Sequence, residues 1–245
     1  MKKVIVFGGA SAIATEVEKL FAADGAELCL LDTKMTRLQA VRDDILARYK
    51  TRIELIEFNA LDFSNHKEIF NQAVDILGGV DIVLVAYGTL PNQEKSQNDI
   101  DYAIEHFNIN ATSIVSLCSI AANYFEEKER GILAVISSVA GDRGRKSNYL
   151  YGSAKGAVSL FLQGLRNRLS SKNVSVVTIK PGIVDTPMTS HLPKNFLFAK
   201  VDVVGRIIFD GINAQKDIIY APGYWRFIMC VIKHIPETIF KKLNL

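Results

Sequence analysis

Val4-Ile5-Val6-Phe7-Gly8-Gly9-Ala10-Ser11-Ala12-Ile13-Ala14 opens the chain with a short apolar block that runs into two glycines and then into helix-forming residues. A continuous block of branched and aromatic residues reads as a strand buried on both faces, the habit of strands in a parallel sheet. Glycine after such a strand lets a ligand approach the backbone, and the helix that follows points its free amides at the same spot. The order strand, glycine turn, helix marks a place for a pyrophosphate, with Gly9, Ser11 and the Ile13 backbone as expected contacts. Met1-Lys2-Lys3 has the charge of a leader, but Gly8-Gly9 breaks the apolar run within a few residues, so the segment reads as a first strand.

Blocks of the same kind recur at Leu28–Leu31, Ile53–Ile56, Ile82–Val85, Ile132–Ile136 and Val174–Ile179, with amphipathic stretches between them and a further strand expected near Asp217 to Tyr220. Strands alternating with helices imply right-handed crossovers and a parallel sheet. No Pro- or Gly-rich linker and no short repeat divides the 245 residues. The expected fold is therefore a single α/β domain over residues 1–245, a doubly wound Rossmann sheet of seven parallel strands flanked by helices. Ligands bind such sheets beyond the carboxyl ends of the strands, where Gly8, Asp32, Gly88, Ser138 and Pro181 would fall. With a net charge of only +3 and interleaved signs, the chain has no footprint for nucleic acid. Cys29, Cys118 and Cys230 stand apart in apolar segments and read as buried, reduced thiols of a cytoplasmic protein. His66, His106, His191 and His234 form no cluster, so no metal site is expected.

Chemistry concentrates between Ile136 and Lys155. Tyr151 and Lys155 are four apart on a helical stretch and share one face. A phenol is a poor proton shuttle near neutrality, and an adjacent cation favours its ionised form and moves its pKa toward working pH. Ser138, ahead of that helix, offers a hydroxyl to a carbonyl or alcohol oxygen held against Tyr151. Asp32 ends the second strand about twenty residues after the glycine turn, where a carboxylate can accept from the hydroxyls of an adenosine ribose. That position favours NAD(H), and Lys34 and Arg37 nearby keep NADP(H) as the alternative.

Ser138, Tyr151-Gly-Ser-Ala-Lys155 and Asn110-Ala111-Thr112 together resemble the short-chain dehydrogenases/reductases, whose catalytic tetrad is Asn, Ser, Tyr and Lys, and the likeness covers nearly the whole chain. The resemblance implies that Asn110 orients a water linking Lys155 to solvent, that Ser138 positions the substrate oxygen, that Tyr151 transfers the proton, and that Lys155 also binds the nicotinamide ribose. It implies further cofactor contacts at Asn59 and Ala60 by the adenine edge, at Gly88, and along Pro181, Gly182, Ile183, Val184 and Thr186 around the carboxamide. The chain departs from the family pattern at Ala12 and Ala14, where glycines are usual, and in Val85-Ala86-Tyr87-Gly88, which keeps only the glycine of an Asn-Asn-Ala-Gly motif. Tyr87 is read either as packing beside the nicotinamide half or as filling a gap. Helices over Thr112–Asn123 and Gly152–Leu169 carry small residues and apolar stripes, and in the family such helices pair into homodimers or homotetramers.

Residues 187–200 hold enough apolar material for a mobile lid over the substrate, with a fixed loop as the alternative. Tyr149 is expected to line the substrate mouth, and His191 is a candidate contact for a substrate hydroxyl. Residues 222–245 form an apolar C-terminal segment with basic punctuation, suited to a helix lying in a membrane interface or to one packed on the domain or a partner subunit. This tail, with the loop from Ser137 to Tyr151, is similar to the branch of the family that reduces the 2-keto group of a decaprenylphosphoryl pentofuranose for cell-envelope glycans. That likeness implies a lipid-linked sugar substrate, a flavoprotein oxidase as the enzyme that makes the ketone, and peripheral residence at the inner membrane face. It also gives Arg143 and Arg145 the task of pairing with the substrate phosphate, with solvated surface arginines as the alternative.

Overall fold

The apolar blocks pair edge to edge into one sheet. In the computed structural model, which describes residues 1–190 and 193–243, the chain runs β1 (Lys3–Phe7), α1 (Ala12–Ala23), β2 (Glu27–Asp32), α2 (Met35–Leu46), β3 (Ile53–Glu57), α3 (His66–Leu77) and β4 (Ile82–Val85). It continues through α4 (Gln93–Asn98), α5 (Ile100–Phe107), α6 (Ser113–Lys128), β5 (Gly131–Ile136), α7 (Tyr149–Leu169), β6 (Val174–Pro181), α8 (Val201–Asn213), β7 (Ile218–Ala221), α9 (Tyr224–His234) and α10 (Glu237–Phe240). The seven strands lie parallel in the order β3-β2-β1-β4-β5-β6-β7, the sheet expected from the sequence.

Because side chains alternate across a strand, each apolar block feeds two cores. Ile5 and Phe7 of β1, Cys29 and Leu31 of β2, and Leu133 and Val135 of β5 pack with apolar residues of α3, α6 and α7. Val4 and Val6, Leu28 and Leu30, and Ala134 and Ile136 pack with those of α1 and α8 on the other face. Truncating a buried residue such as Leu30 or Ile5 to alanine would cost about 2–5 kcal/mol through lost burial and the cavity left behind. β1 bonds to β2 on one side and β4 on the other, so the chain leaves it in opposite directions and opens a crevice past Phe7 and Val85.

The C-terminal segment packs on the domain by one face. Trp225 and Met229, one turn apart on α9, are buried against Val139, while Phe227 is 75% exposed on the opposite face. Cys230 follows Met229 by a single residue and is therefore turned outward. The expectation of three buried thiols is corrected here: Cys29 and Cys118 are buried and Cys230 is exposed. Among the described residues no helix is long and apolar enough to cross a membrane.

Candidate active site

A cavity of about 560 Å³ runs along the carboxyl ends of the strands, from Asp32, Thr33 and Arg37 at one end to Ser138, Tyr151 and Trp225 at the other. At the first end, β1 passes into α1 through a turn whose Ser11 caps the helix, its Oγ accepting from the Ala14 amide at 3.3 Å. Asp32 ties this turn to β2, accepting from the Ala10 amide at 3.2 Å and the Lys34 amide at 3.3 Å. Gly8, Ser11 and Ile13 line the cavity. Gly9, expected to do so, faces the other way: a side chain there would meet Leu30, Leu38 and Glu18 at 3.0–3.2 Å. Its bareness serves close packing beneath the turn, and the cavity contact passes to Gly8. Both oxygens of Glu18 are buried without a partner among the described residues. Burial, reinforced by the charge of Asp32, pushes that carboxyl well above the usual carboxylate range. Asn59, whose Oδ1 accepts from the Leu61 amide at 3.0 Å, and Ala60 border the cavity after β3.

Asn110 lies in a π-helical turn, Asn108–Thr112, set between α5 and α6. Such a turn widens the helix locally and redirects a side chain, a device common at functional sites. Asn110 is buried and clasps Thr89 after β4: its Oδ1 accepts from the Thr89 amide at 2.9 Å, and its Nδ2 donates to the Thr89 carbonyl at 2.9 Å and hydroxyl at 3.1 Å. Gly88 makes room for this meeting, since a side chain there would stand 2.8 Å from Asn110 Oδ1 and 3.3 Å from Lys155 Nζ. Tyr87 lines the cavity, its ring tilted against Phe58 and its hydroxyl 2.8 Å from Ser113 Oγ.

α7 carries Tyr151 and Lys155 and is fixed to β5 by Ser137, whose hydroxyl donates to the Lys155 carbonyl at 2.9 Å and lies 2.8 Å from Ser159 Oγ. Lys155 is buried, and its Nζ donates to the Ile136 carbonyl at 3.0 Å and sits 5.9 Å from the centre of the Tyr151 ring. Burial brings its pKa down to about 8. Tyr151 is pushed up to about 12 by burial, with the Ser138 side chain pulling in the opposite sense. Burial, opposed by Ser138, moves the Tyr151 pKa upward, opposite to the direction expected from the neighbouring cation. Ser138 faces the same space and caps a short turn, accepting from the Ala140 amide at 3.1 Å.

Pro181, Gly182, Ile183, Val184 and Thr186 line the cavity after β6. This stretch is braced by a buried ion pair between Lys180 and Asp142, and Asp142 also accepts from the half-buried Tyr220 Oη at 2.8 Å. Of the proposed lid, residues 187–200, Pro187, Met188 and Thr189 border the cavity, and the segment is tied back where the Ala199 amide donates to the Ile183 carbonyl at 2.9 Å.

The four candidate substrate residues part company. Arg143 does not face the cavity. Its guanidinium donates to the carbonyls of Ile232, Lys233 and Ile235 at 2.6–3.2 Å, pairs with Glu237, and stacks on Phe240. It caps the open carbonyls at the end of α9, and its charge is spent there. Tyr149 sits at the start of α7, exposed and away from the cavity lining. It stands two positions before Tyr151, so the helix turns the two rings about 200° apart. Arg145 does border the cavity, together with Asn148, and burial lowers its pKa. His191 lies outside the described residues. Trp225 and Asn148 were not singled out from the sequence: Trp225 sits in an apolar helix that reads as packing, and no spacing rule links it to the loop before α7.

A family model described as short chain dehydrogenase matches residues 2–196. An uncharacterised oxidoreductase of Streptomyces coelicolor, from the mprA 5′ region, is 27% identical over 242 residues, covering 99% of this chain and 96% of the relative. An uncharacterised oxidoreductase of Mycobacterium tuberculosis is 27% identical over 240 residues, covering 98% and 96%. Among solved structures, the crystal structure of levodione reductase superposes with a TM-score of 0.83 at 17% identity, covering 92% of this chain and 98% of that one, a likeness of fold.

Proposed function

Because the chain belongs to the short-chain dehydrogenase family, an oxidoreductase family that uses nicotinamide cofactors, we propose that it reduces a ketone with NADH, with Tyr151 as proton donor. The observation that carries this reading is the convergence of Ser138, Tyr151 and Lys155 on one cavity at the carboxyl ends of the strands. Tyr151 carries its proton at neutral pH and stands on the same wall as Ser138 and Lys155, where it can give that proton to a ketone oxygen held against Ser138. Ser138 holds that oxygen by hydrogen bond and so fixes the line along which the proton moves. Lys155, still mostly protonated at neutral pH with its pKa near 8, places a positive charge below the phenol as the proton leaves. Asn110, held by Thr89 and close to Lys155 across Gly88, sets the backbone at the end of β4.

The residues present fit a dinucleotide. The cavity follows the strand ends from Asp32 to Thr186, and at Gly88 it passes a backbone position where any side chain would collide with Asn110. The bound cofactor supplies the hydride. Gly8, Ser11 and Ile13 would border its phosphates, Asn59 and Ala60 its adenine, and Pro181 to Thr186 its carboxamide end. Asp32, which reaches the cavity as a carboxylate, would accept from ribose hydroxyls and repel a 2′-phosphate, so we read NAD(H) as preferred. Arg37, exposed on the same rim, is the group that would admit NADP(H).

For the substrate we propose the 2-keto group of a polyprenylphosphoryl pentofuranose, supplied by an oxidase. The resemblance of the Ser137–Tyr151 loop and the C-terminal segment supports this, as do the apolar outer face of α9, where Tyr224, Phe227 and Val231 are exposed, and the nearby bases Arg226 and Lys233. That face suits peripheral contact with a membrane that holds the lipid. The test is NADH consumption with this lipid-linked ketone, run beside NADPH and a neutral cyclic ketone. The reading expects the lipid-linked ketone with NADH to have the highest kcat/KM. Equal or better use of the neutral ketone would overturn the substrate assignment.

A further inference from the structure

The backbone ladder between β5 and β6 stops just short of the reacting groups. Its last bond runs from the Ser137 amide to the Ile179 carbonyl at 2.7 Å, and Pro181, having no N–H, cannot extend it. Past that point β5 leads through Ser138 into the turn Val139–Asp142, and β6 leads into the cavity stretch ending at Thr186. A side-chain contact bridges the two where the backbone no longer does: Lys180 pairs with Asp142, the two side chains 7% and 3% exposed. The other carboxylate oxygen of Asp142 accepts from Tyr220 Oη at 2.8 Å, and Tyr220 is the register partner of Lys180 on β7. On its other side the same turn is pressed against α7, since a side chain on Gly141 would begin 2.6 Å from the Lys155 carbonyl carbon and the Gly156 amide nitrogen. The turn is also bonded to itself, the Gly141 amide donating to the Ser138 carbonyl and the Ala140 amide to Ser138 Oγ, each at 3.1 Å. A shift of Asp142 is therefore a shift of Ser138.

Stability does not explain why this contact is ionic. Taking two charges out of water costs about as much as their attraction returns, and apolar replacements of similar volume are often neutral or stabilising. What a buried pair with bonded partners does supply is a fixed distance, because hydrogen bonds have a direction that apolar contacts lack. We propose that Lys180, Asp142 and Tyr220 are positioning residues that set the gap across which hydride passes, by holding Ser138 at a fixed distance from the Pro181–Thr186 stretch. Ser138 fixes the ketone oxygen, and Pro181–Thr186 borders the carboxamide end of the cofactor, so the ion pair spans the two halves of the reacting pair from behind the cavity wall. This assignment rests on the reading of the site as a ketone reductase and adds what keeps its two reactants in register. Misplacement of reacting atoms by about 1 Å can cost about 10²-fold in rate, so a brace of this kind acts on hydride transfer more than on binding.

The experiment compares wild type with the triple variant Lys180→Met, Asp142→Leu, Tyr220→Phe, in which apolar side chains of similar bulk replace the contact. Protein preloaded with NADH, or with NADH deuterated at the transferred position, is mixed with the polyprenylphosphoryl 2-keto-pentofuranose or with a neutral cyclic ketone. The first turnover is followed at several temperatures. The urea unfolding midpoint of the triple variant is expected to equal or exceed that of wild type, and its NADH affinity to stay within about threefold. Hydride transfer should slow about tenfold or more, and the isotope effect should grow and vary more steeply with temperature, as a wider and looser gap demands. If the triple variant does not fold, Tyr220→Phe alone removes one bond to Asp142 from a half-buried position. It should show the same isotope signature with a slowing of about two- to fivefold. A folded variant with hydride transfer and isotope effect unchanged overturns the proposal. So does a slowing matched by equal losses of NADH affinity and stability with an unchanged isotope effect, which is what a merely structural brace would give. Absence of NADH oxidation by wild type with both ketones instead removes the reductase reading, and the positioning role with it.

Discussion

Glu18 shows how much a single buried side chain can say. Its folded pKa stands above its unfolded value near 4.3, so the stability it confers is complete below about pH 4 and is lost as pH rises toward the folded pKa. Glu18→Gln copies the protonated form and removes that loss. The variant should match wild type in denaturant unfolding near pH 4 and exceed it by about 1–3 kcal/mol at pH 7, and a gap that does not widen between those pH values would refute the assignment. Asp32 acts at the same scale on the cofactor. Asp32→Ala removes the like charge facing a 2′-phosphate while Arg37 remains on the rim, so the ratio of kcat/KM for NADH over NADPH should fall about tenfold or more in steady-state assays. The tetrad positions were legible because they stand at fixed offsets on predictable elements. Glu18 was not, because a glutamate two residues after Glu16 in a helix gives no sign of which one is turned inward. Arg143 and Arg145 were indistinguishable on paper for a similar reason: two residues apart in an irregular loop, they follow no period, and only the docking of α9 separates the helix clamp from the cavity wall.

At the scale of elements, the alternation of apolar blocks with amphipathic segments made the order of strands and helices readable, since a parallel sheet buried on both faces leaves little freedom in composition. The C-terminal segment was readable only as apolar. What decided its place was a long-range contact, the guanidinium of Arg143 closing the last carbonyls of α9 across about ninety residues of chain. Arg143→Met keeps much of the stacking on Phe240 and removes the hydrogen bonds. Hydrogen exchange should then show α9 and α10 opening at least about tenfold more often, while β1 and β4 keep their protection. Unchanged exchange in α9 would mean that Trp225 and Met229 hold the helix without the clamp. The turn at Asn108–Thr112 was equally out of reach, because a single extra residue in a helix leaves no mark on hydrophobic spacing.

For the whole molecule, the parallel sheet fixes which loops share a rim, and the rim gathers Asp32, Ser138, Tyr151 and Lys155 from segments spread over about half the chain, with Asn110 buried behind Thr89 and Gly88. The outer face of α7 remains open, with Leu160 69% exposed. Pairing of that face with a second copy is the expected assembly, and light scattering at micromolar concentration should return at least the dimer mass, falling toward the monomer in Leu160→Glu. The most direct test of the central claim is a single-turnover measurement in which protein preloaded with NADH is mixed with the polyprenylphosphoryl 2-keto-pentofuranose and cofactor oxidation is followed for wild type and Tyr151→Phe. The account predicts rapid oxidation by wild type and a slowing of about 10²–10⁴-fold in the variant with NADH affinity retained. Oxidation at the same rate by folded, NADH-bound Tyr151→Phe would contradict it.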